Sequence, residues 1–375
     1  MGPMPFDVRD FQAAGDATPD SVRRRRHAVA LWLFTVCGMI LVMIGLGGAT
    51  RLTGSGLSIM EWAPFRGTLP PLSESEWRRL YSLYQQIPQY ALLNQGFGID
   101  GFKHIFWLEY LHRLWGRLIG LAFLLPLLAL WWRGAIERRL RGRLLLLFVL
   151  GGLQGAVGWF MVASGFFPDS TAVSPYRLVI HLALALILYA AVLWTGLTAL
   201  RPSPVAAGPP ALRRATLACC VLAALTILAG GFVAGLKAGL TYNTFPLMDG
   251  RLVPEGYGAL HPFLRNLAEN IAAVQFDHRL LASLTALAVL ATVAWGLSHA
   301  GAPARRALLA LGGAVATQYA LGVATLLAVV PVGLGTAHQM VAVLVLTAAL
   351  VVLHTLRPAR PGAAFGMGTK WEQMS

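Results

Sequence analysis

Residues 178–199, LVIHLALALILYAAVLWTGLTA, run without a charged side chain over the ~20 residues a helix needs to cross a bilayer core, and His181 stands near their start. A stretch of this length reads as a membrane-spanning helix, because in lipid every backbone N–H and C=O must be satisfied inside the segment. The pattern returns at 334–356, LGTAHQMVAVLVLTAALVVLHTL, with His338 in the corresponding place. Further apolar runs at 28–48, 105–132, 144–164, 212–235, 272–298 and 304–327 make a set of eight. With 57% hydrophobic and 12% charged residues in 375, and a mean hydropathy of +0.63, a soluble enzyme is excluded. The expected class is an all-α integral membrane protein of eight transmembrane helices.

A net charge of +14 would suggest nucleic acid in a soluble chain, but here the arginines gather in particular loops. Arg23 to Arg26 precede the first span; Arg133, Arg138, Arg139, Arg141 and Arg143 follow the second; Arg201, Arg213, Arg214, Arg305, Arg306, Arg357 and Arg360 fall on the same face. That face is read as the cytoplasm, both termini with it, and a nucleic-acid role is excluded. The first apolar run lacks a small-residue cleavage pattern and is expected to be retained as a span. Cys37, Cys219 and Cys220 all lie within spans, so no disulfide framework is expected.

The chain repeats itself. Gly47-Gly48 matches Gly230-Gly231, and Gly56-Leu57-Ser58 matches Gly239-Leu240-Thr241, at an offset of 183. His112-Arg113 answers His278-Arg279, Gln154 with Gly158 answers Gln318 with Gly322, and His181 answers His338. Each half holds four spans, an even number, so the copies cross in the same direction. The architecture expected is two pseudo-symmetric four-helix bundles in parallel orientation. All four histidines then lie near one face, the outer one.

A lone histidine at a helix end is commonly an interfacial polar residue, but four at repeated positions argue for ligation. Two imidazoles on facing helices can take both axial positions of a heme iron, and two pairs make two sites. His27, His104, His261, His299 and His354 have no counterpart in the other half and are read as solvated. Arg113 and Arg279 follow a ligand candidate at the depth where heme propionates would emerge, and a guanidinium pairs with a carboxylate bidentately. Glu109 lies three residues before His112 and shares its helical face, whereas its counterpart is Gln275. A carboxylate can exchange protons and a carboxamide cannot, so the sites differ in catalytic potential. The outer loops, with Trp62, Pro64, Gly67, Pro70, Pro71, Trp77 and Pro88 in one and Phe245, Pro246, Pro254, His261 and Pro262 in the other, suggest ordered caps.

The stretch Gly47 to Ser58 (GGATRLTGSGLS), the segment Glu109-Tyr110-Leu111-His112-Arg113, and His181, Asp277-His278-Arg279 and Ala337-His338-Gln339 together resemble heme A synthase, over nearly the whole chain. The resemblance implies an oxidoreductase of cytochrome oxidase assembly, converting a methyl of heme O to the formyl of heme A by successive hydroxylations. It implies that His278 and His338 ligate a resident heme B, while His112, His181 and Glu109 form the heme O site. The domains follow: 1–27 a cytoplasmic tail, 28–200 the substrate half, 201–357 the heme B half, 358–375 a second tail. The setting implied is a bacterial inner membrane, with heme sites near the periplasmic face. Heme O synthase and oxidase assembly factors are the implied partners beside membrane lipid, with the electron acceptor and a homo-oligomer left open. Family members with a cysteine pair in an outer loop differ from this chain, which has none there.

Two rivals share some of these features. A b-type cytochrome acting only in electron transfer would gain by stacking hemes at two depths, whereas all four ligands here share one face. A transporter would more often show inverted repeats with spans broken near the midplane.

Overall fold

A computed structural model describes residues 19–63, 66–168, 170–202 and 208–358. Eight long helices dominate: α1 (Pro19–Leu52), α2 (Gly98–Trp132), α3 (Arg138–Val162), α4 (Pro175–Leu200), α5 (Pro210–Gly235), α6 (Ile271–His299), α7 (Ala302–Leu327) and α8 (Val332–Thr355). All eight are long and apolar enough to span a membrane. The only β pairing among the described residues is an isolated bridge between Met248 and Arg251. The chain is therefore an all-α, multi-pass membrane protein. Pro64, Arg360, residues 1–18 of the first tail and 359–375 of the second lie outside the described residues.

Several helices outrun their apolar runs. The 34 residues of α1 reach about 51 Å, beyond a hydrocarbon core of ~30 Å. Hydropathy registers only the part in lipid, while the hydrogen-bonded helix continues through Arg23 to Arg26 into the interface. Proline in the first turn starts α4, α5 and α7, where its missing N–H costs nothing. The Asn270 side chain starts α6 by accepting from the N–H groups of Ala272 and Ala273.

Helix association in lipid rests on close packing rather than on escape from water. In the first half α1 packs on α2 and α4, and α3 on α4; in the second, α5 packs on α6, α6 on α7, α7 on α8 and α8 on α5. Contacts between halves run through α1, α4, α5 and α8. One buried cluster joins Leu33 and Val36 of α1 to Tyr189 and Val192 of α4 and Val343 of α8; another joins Leu212, Val289, Leu308 and Val352 within the second half. Polar ties reinforce the seam: Tyr189 Oη meets Thr347 Oγ1 at 2.8 Å, and Arg51 donates to the carbonyl of Ala234 at 3.0 Å.

His354 departs from expectation. It is buried rather than solvated, with its ring edge-on to Trp194 at 5.0 Å and Nε2 3.3 Å from Thr198 Oγ1. Its position at a helix end suggested water, but α4 packs over that end and gives the imidazole a hydroxyl partner. His27, His104, His261 and His299 are exposed. The three cysteines are free and buried.

Both long loops carry defined local structure among the described residues. The first contains a helix, Glu74–Tyr84, whose start is capped by Ser73, and it packs Tyr84 and Trp77 against Phe102 and Phe106 of α2. In the second, buried Asn266 accepts from the N–H of Leu260 and donates to the carbonyls of Leu260 and Phe263. Polar side chains thus replace regular structure in satisfying the loop backbone.

Candidate functional site

Consecutive spans alternate in direction, so α2, α4, α6 and α8 all begin on one side; His181, His278 and His338 stand in the second turn or just past it, whereas His112 stands about four turns in because α2 begins early, at Gly98. The preceding helix offers each imidazole a glycine. A Cβ added at Gly47 would lie 3.1 Å from His112 Nε2, at Gly158 2.9 Å from His181 Cε1, at Gly230 3.0 Å from His278 Cε1 and at Gly322 2.8 Å from His338 Cε1. Any larger residue would push the ring aside. Four separate helix pairs share this arrangement, which is more than a common need for tight packing would produce.

The structure brings His278 and His338 together, with ring centroids 6.5 Å apart and planes near perpendicular at 87°. Two metal–imidazole bonds of ~2 Å plus the distance from each nitrogen to its ring centre give about 6.4 Å, so one ion fits between them. The Nδ1 of His278 lies 3.1 Å from the Thr226 carbonyl, which places the proton there and leaves the lone pair of Nε2 free. Gln318 Nε2 approaches His338 Nδ1 at 3.1 Å. His112 and His181 form no such ring pair among the described residues. Instead Gln154 donates to the His181 carbonyl at 3.1 Å, and His181 Nδ1 and Gln154 Oε1 are buried without a partner. Gln154 Nε2 also lies 3.4 Å from His181 Nε2, the counterpart of the Gln318–His338 contact in the second half.

Beside each site stands a latch built on the same plan. Glu109 is buried, and its carboxylate accepts five hydrogen bonds: from Ser58 N–H at 2.7 Å, Ser58 Oγ at 2.7 Å and Ile59 N–H at 2.9 Å on one oxygen, and from Arg113 Nε at 3.0 Å and Nη2 at 2.6 Å on the other. Arg113 also donates to the carbonyls of Ile59 and Glu61. In the second half Gln275 donates to the carbonyls of Ala238 and Thr241 and accepts from Arg279, which donates to the carbonyls of Tyr242 and Thr244. Ser58, Ile59 and Glu61 stand 183 residues before Thr241, Tyr242 and Thr244, so the repeat reaches individual hydrogen bonds. The polarity is reversed: a carboxylate can only accept, and the first loop presents N–H groups; a carboxamide can donate, and the second presents carbonyls.

Both arginines read as propionate clamps thus hold the loops over the helix ends. Arg279 still has a buried Nε without a partner, while the Nε of Arg113 is taken by Glu109. Sequence reading gave no role to Ser58, Gln154, Gln318 or Thr226. The paired glutamines and the Ser58–Thr241 match were visible in the repeat; the Thr226 carbonyl, a backbone group, leaves no mark in sequence. No group of three or more histidine, cysteine or acidic side chains able to hold a bare metal ion occurs among the described residues. Two histidines suffice only where something else supplies the remaining bonds to the ion, as a porphyrin does for iron.

The first loop is further pinned by Arg79, which bridges Glu61 at 2.8 Å and Glu76 at 2.8 Å. Hydrogen bonds from Arg79 hold both carboxyls below the usual carboxylate range. A depressed folded-state value means stability that is present above the unfolded value and lost as pH falls through the folded one. Acidification below the ordinary carboxylate range is therefore expected to speed hydrogen exchange in 58–63, after correction for intrinsic rates. Arg79→Ala is expected to show the fast exchange already at neutral pH.

The profile of the cytochrome oxidase assembly protein family matches residues 30–350. The heme A synthase of Granulibacter bethesdensis is 67% identical over 338 residues, covering 90% of this chain and 89% of its own length. The chain belongs to the heme A synthase family. Two further heme A synthases agree: that of Rhodospirillum centenum is 51% identical over 91% of this chain and 92% of its own, and heme A synthase 2 of Acidiphilium cryptum is 46% identical over 92% and 95%. Within a heme A synthase, glycine-backed histidine pairs fit a porphyrin iron, and the unpartnered Nε of Arg279 fits a porphyrin carboxylate.

Proposed function

We propose that this heme A synthase oxidises the methyl group of heme O to a formyl, with heme O held by His112 and His181 in residues 28–200 and a resident heme B held by His278 and His338 in residues 201–357. The observation carrying this reading is the pair of mirrored latches that differ at one decisive position, Glu109 against Gln275. Heme B would supply one-electron redox capacity. The His278–His338 pair, with His278 anchored at Thr226, suits a permanent occupant; His181, whose Nδ1 has no partner, suits a site whose occupant arrives and leaves. The halves are read as two four-helix bundles joined along α1, α4, α5 and α8.

The Glu109 carboxylate accepts all five of its hydrogen bonds and donates none. That supports an anion set against positive charge developing at the substrate methyl, rather than a proton donor. Arg113 and Arg279 keep the loops closed over the sites, and Arg279 has one donor left for a heme B carboxylate.

Gly322→Ala tests the resident site. The new Cβ would displace His338, and heme B content is expected to fall several-fold, whereas at Gly313 an added Cβ meets nothing within 4 Å and Gly313→Ala should leave it unchanged. Equal heme B content in both variants would refute the assignment.

We also read the arginine-rich ends as cytoplasmic and the heme sites as periplasmic, in a bacterial inner membrane. A periplasm-active reporter fused near Ala135 should be silent and one near Gly165 active, and the reverse pattern would invert the sidedness. Heme O synthase as donor and oxidase assembly factors as recipients are the partners this placement suits.

A further inference from the structure

The two halves differ most where α2 faces α3. The corresponding helices α6 and α7 pack along their length, but α2 and α3 touch far less. Toward the basic end they meet through Phe123 and Phe148, stacked at 6.2 Å, and toward the histidine end through Arg113, whose guanidinium lies 5.6 Å from the Trp159 ring. Ten residues of α2 and eleven of α3 separate these contacts, a window about 15 Å tall.

Glycine keeps the window open. Gly120 lies on the α2 face of Arg113 and Phe123; Gly151, Gly152 and Gly155 lie on the α3 face of Phe148 and Trp159. A Cβ built at any of the four meets nothing within 4 Å. In the second half the repeat puts Ala286 at the place of Gly120, Val315 at that of Gly151 and Tyr319 at that of Gly155. Ala286 and Val315 are buried, and Tyr319 Oη bonds Ser283 Oγ of α6 at 3.0 Å. The seam is closed in one half and open in the other.

The window leads to the substrate site. Gly155 is one turn before Gly158, where an added Cβ would lie 2.9 Å from His181; Gln154, next to Gly155, has a buried Oε1 without a partner, as its counterpart Gln318 does, and His181 Nδ1 is likewise buried and unpartnered. We propose that the gap between α2 and α3 is a lateral port through which heme O passes between bilayer and site, its isoprenoid tail lying against the glycine face of α3. Heme O is an amphiphile whose tail partitions into lipid, so a route through the helix wall spares it a crossing of water. The proposal rests on the reading that the N-terminal half takes heme O; it explains why the half with a permanent occupant has no such gap.

The test is a reversible clasp. In a background with Cys37, Cys219 and Cys220 replaced by alanine, Gly120→Cys and Gly152→Cys are joined by a cleavable bifunctional maleimide in nanodiscs, and heme O is offered from lipid vesicles. The heme B spectrum reports an intact fold throughout. Loss of heme O uptake on cross-linking and its return on cleavage is the expected result. Equal uptake in both states would overturn the port while leaving the substrate site standing. No uptake in either state, with heme B intact, would overturn the substrate-site reading and the port with it.

Discussion

Glu109→Gln is expected to lower heme A formation by about 10²-fold or more, the scale on which a positioned acid–base or charged group contributes, while heme B content holds. The substitution is nearly isosteric but not neutral. However the carboxamide turns, its NH2 faces either the donors of Ser58 and Ile59 or those of Arg113. Leaving such buried groups unpaired costs about 1–3 kcal/mol each, so some loosening of the first loop accompanies the chemical loss. Ser58→Ala separates the two effects: it removes one donor and keeps the anion. If Ser58→Ala retains most activity while Glu109→Gln does not, the charge is what matters. Full heme A formation by Glu109→Gln would dismiss the catalytic role.

His278→Ala is expected to empty the resident site, weakening heme B binding well beyond the ~10-fold that follows from losing even an outer partner of a metal ligand. The reason is geometric. The rings of His278 and His338 stand 6.5 Å apart, room for one ion, and no third histidine, cysteine or acidic side chain joins them among the described residues to take a vacated place. His112→Ala is expected to leave heme B in place and remove the heme O-derived pigment instead. Absorbance of the purified variants checks both, and a loss of heme B in His112→Ala but not in His278→Ala would exchange the roles of the two halves.

Much of this was legible in the chain. Long uncharged runs such as 178–199 admit one structure in lipid, so the eight spans could be counted before any contact was known. The repeat paired the histidines and exposed the Glu109–Gln275 difference. What stayed hidden depends on backbone groups and on neighbours distant in sequence. Arg113 looked free to bind a carboxylate because the Ile59 and Glu61 carbonyls, which occupy it, carry no signature. His354 looked wet because nothing in its own segment announces that Trp194 and Thr198 cover it. Gly120, Gly151 and Gly155 carry no signal of their own in the sequence; the filled positions of the second half give them contrast.

The most direct test of the account is the identity of the pigments. The protein is purified from cells that supply heme O, its hemes are extracted into acidic solvent, and each is identified by mass. The account predicts heme B together with heme A or a hydroxylated heme O. Heme B alone would contradict it in favour of an electron carrier, and a folded protein without heme would overturn the histidine argument itself.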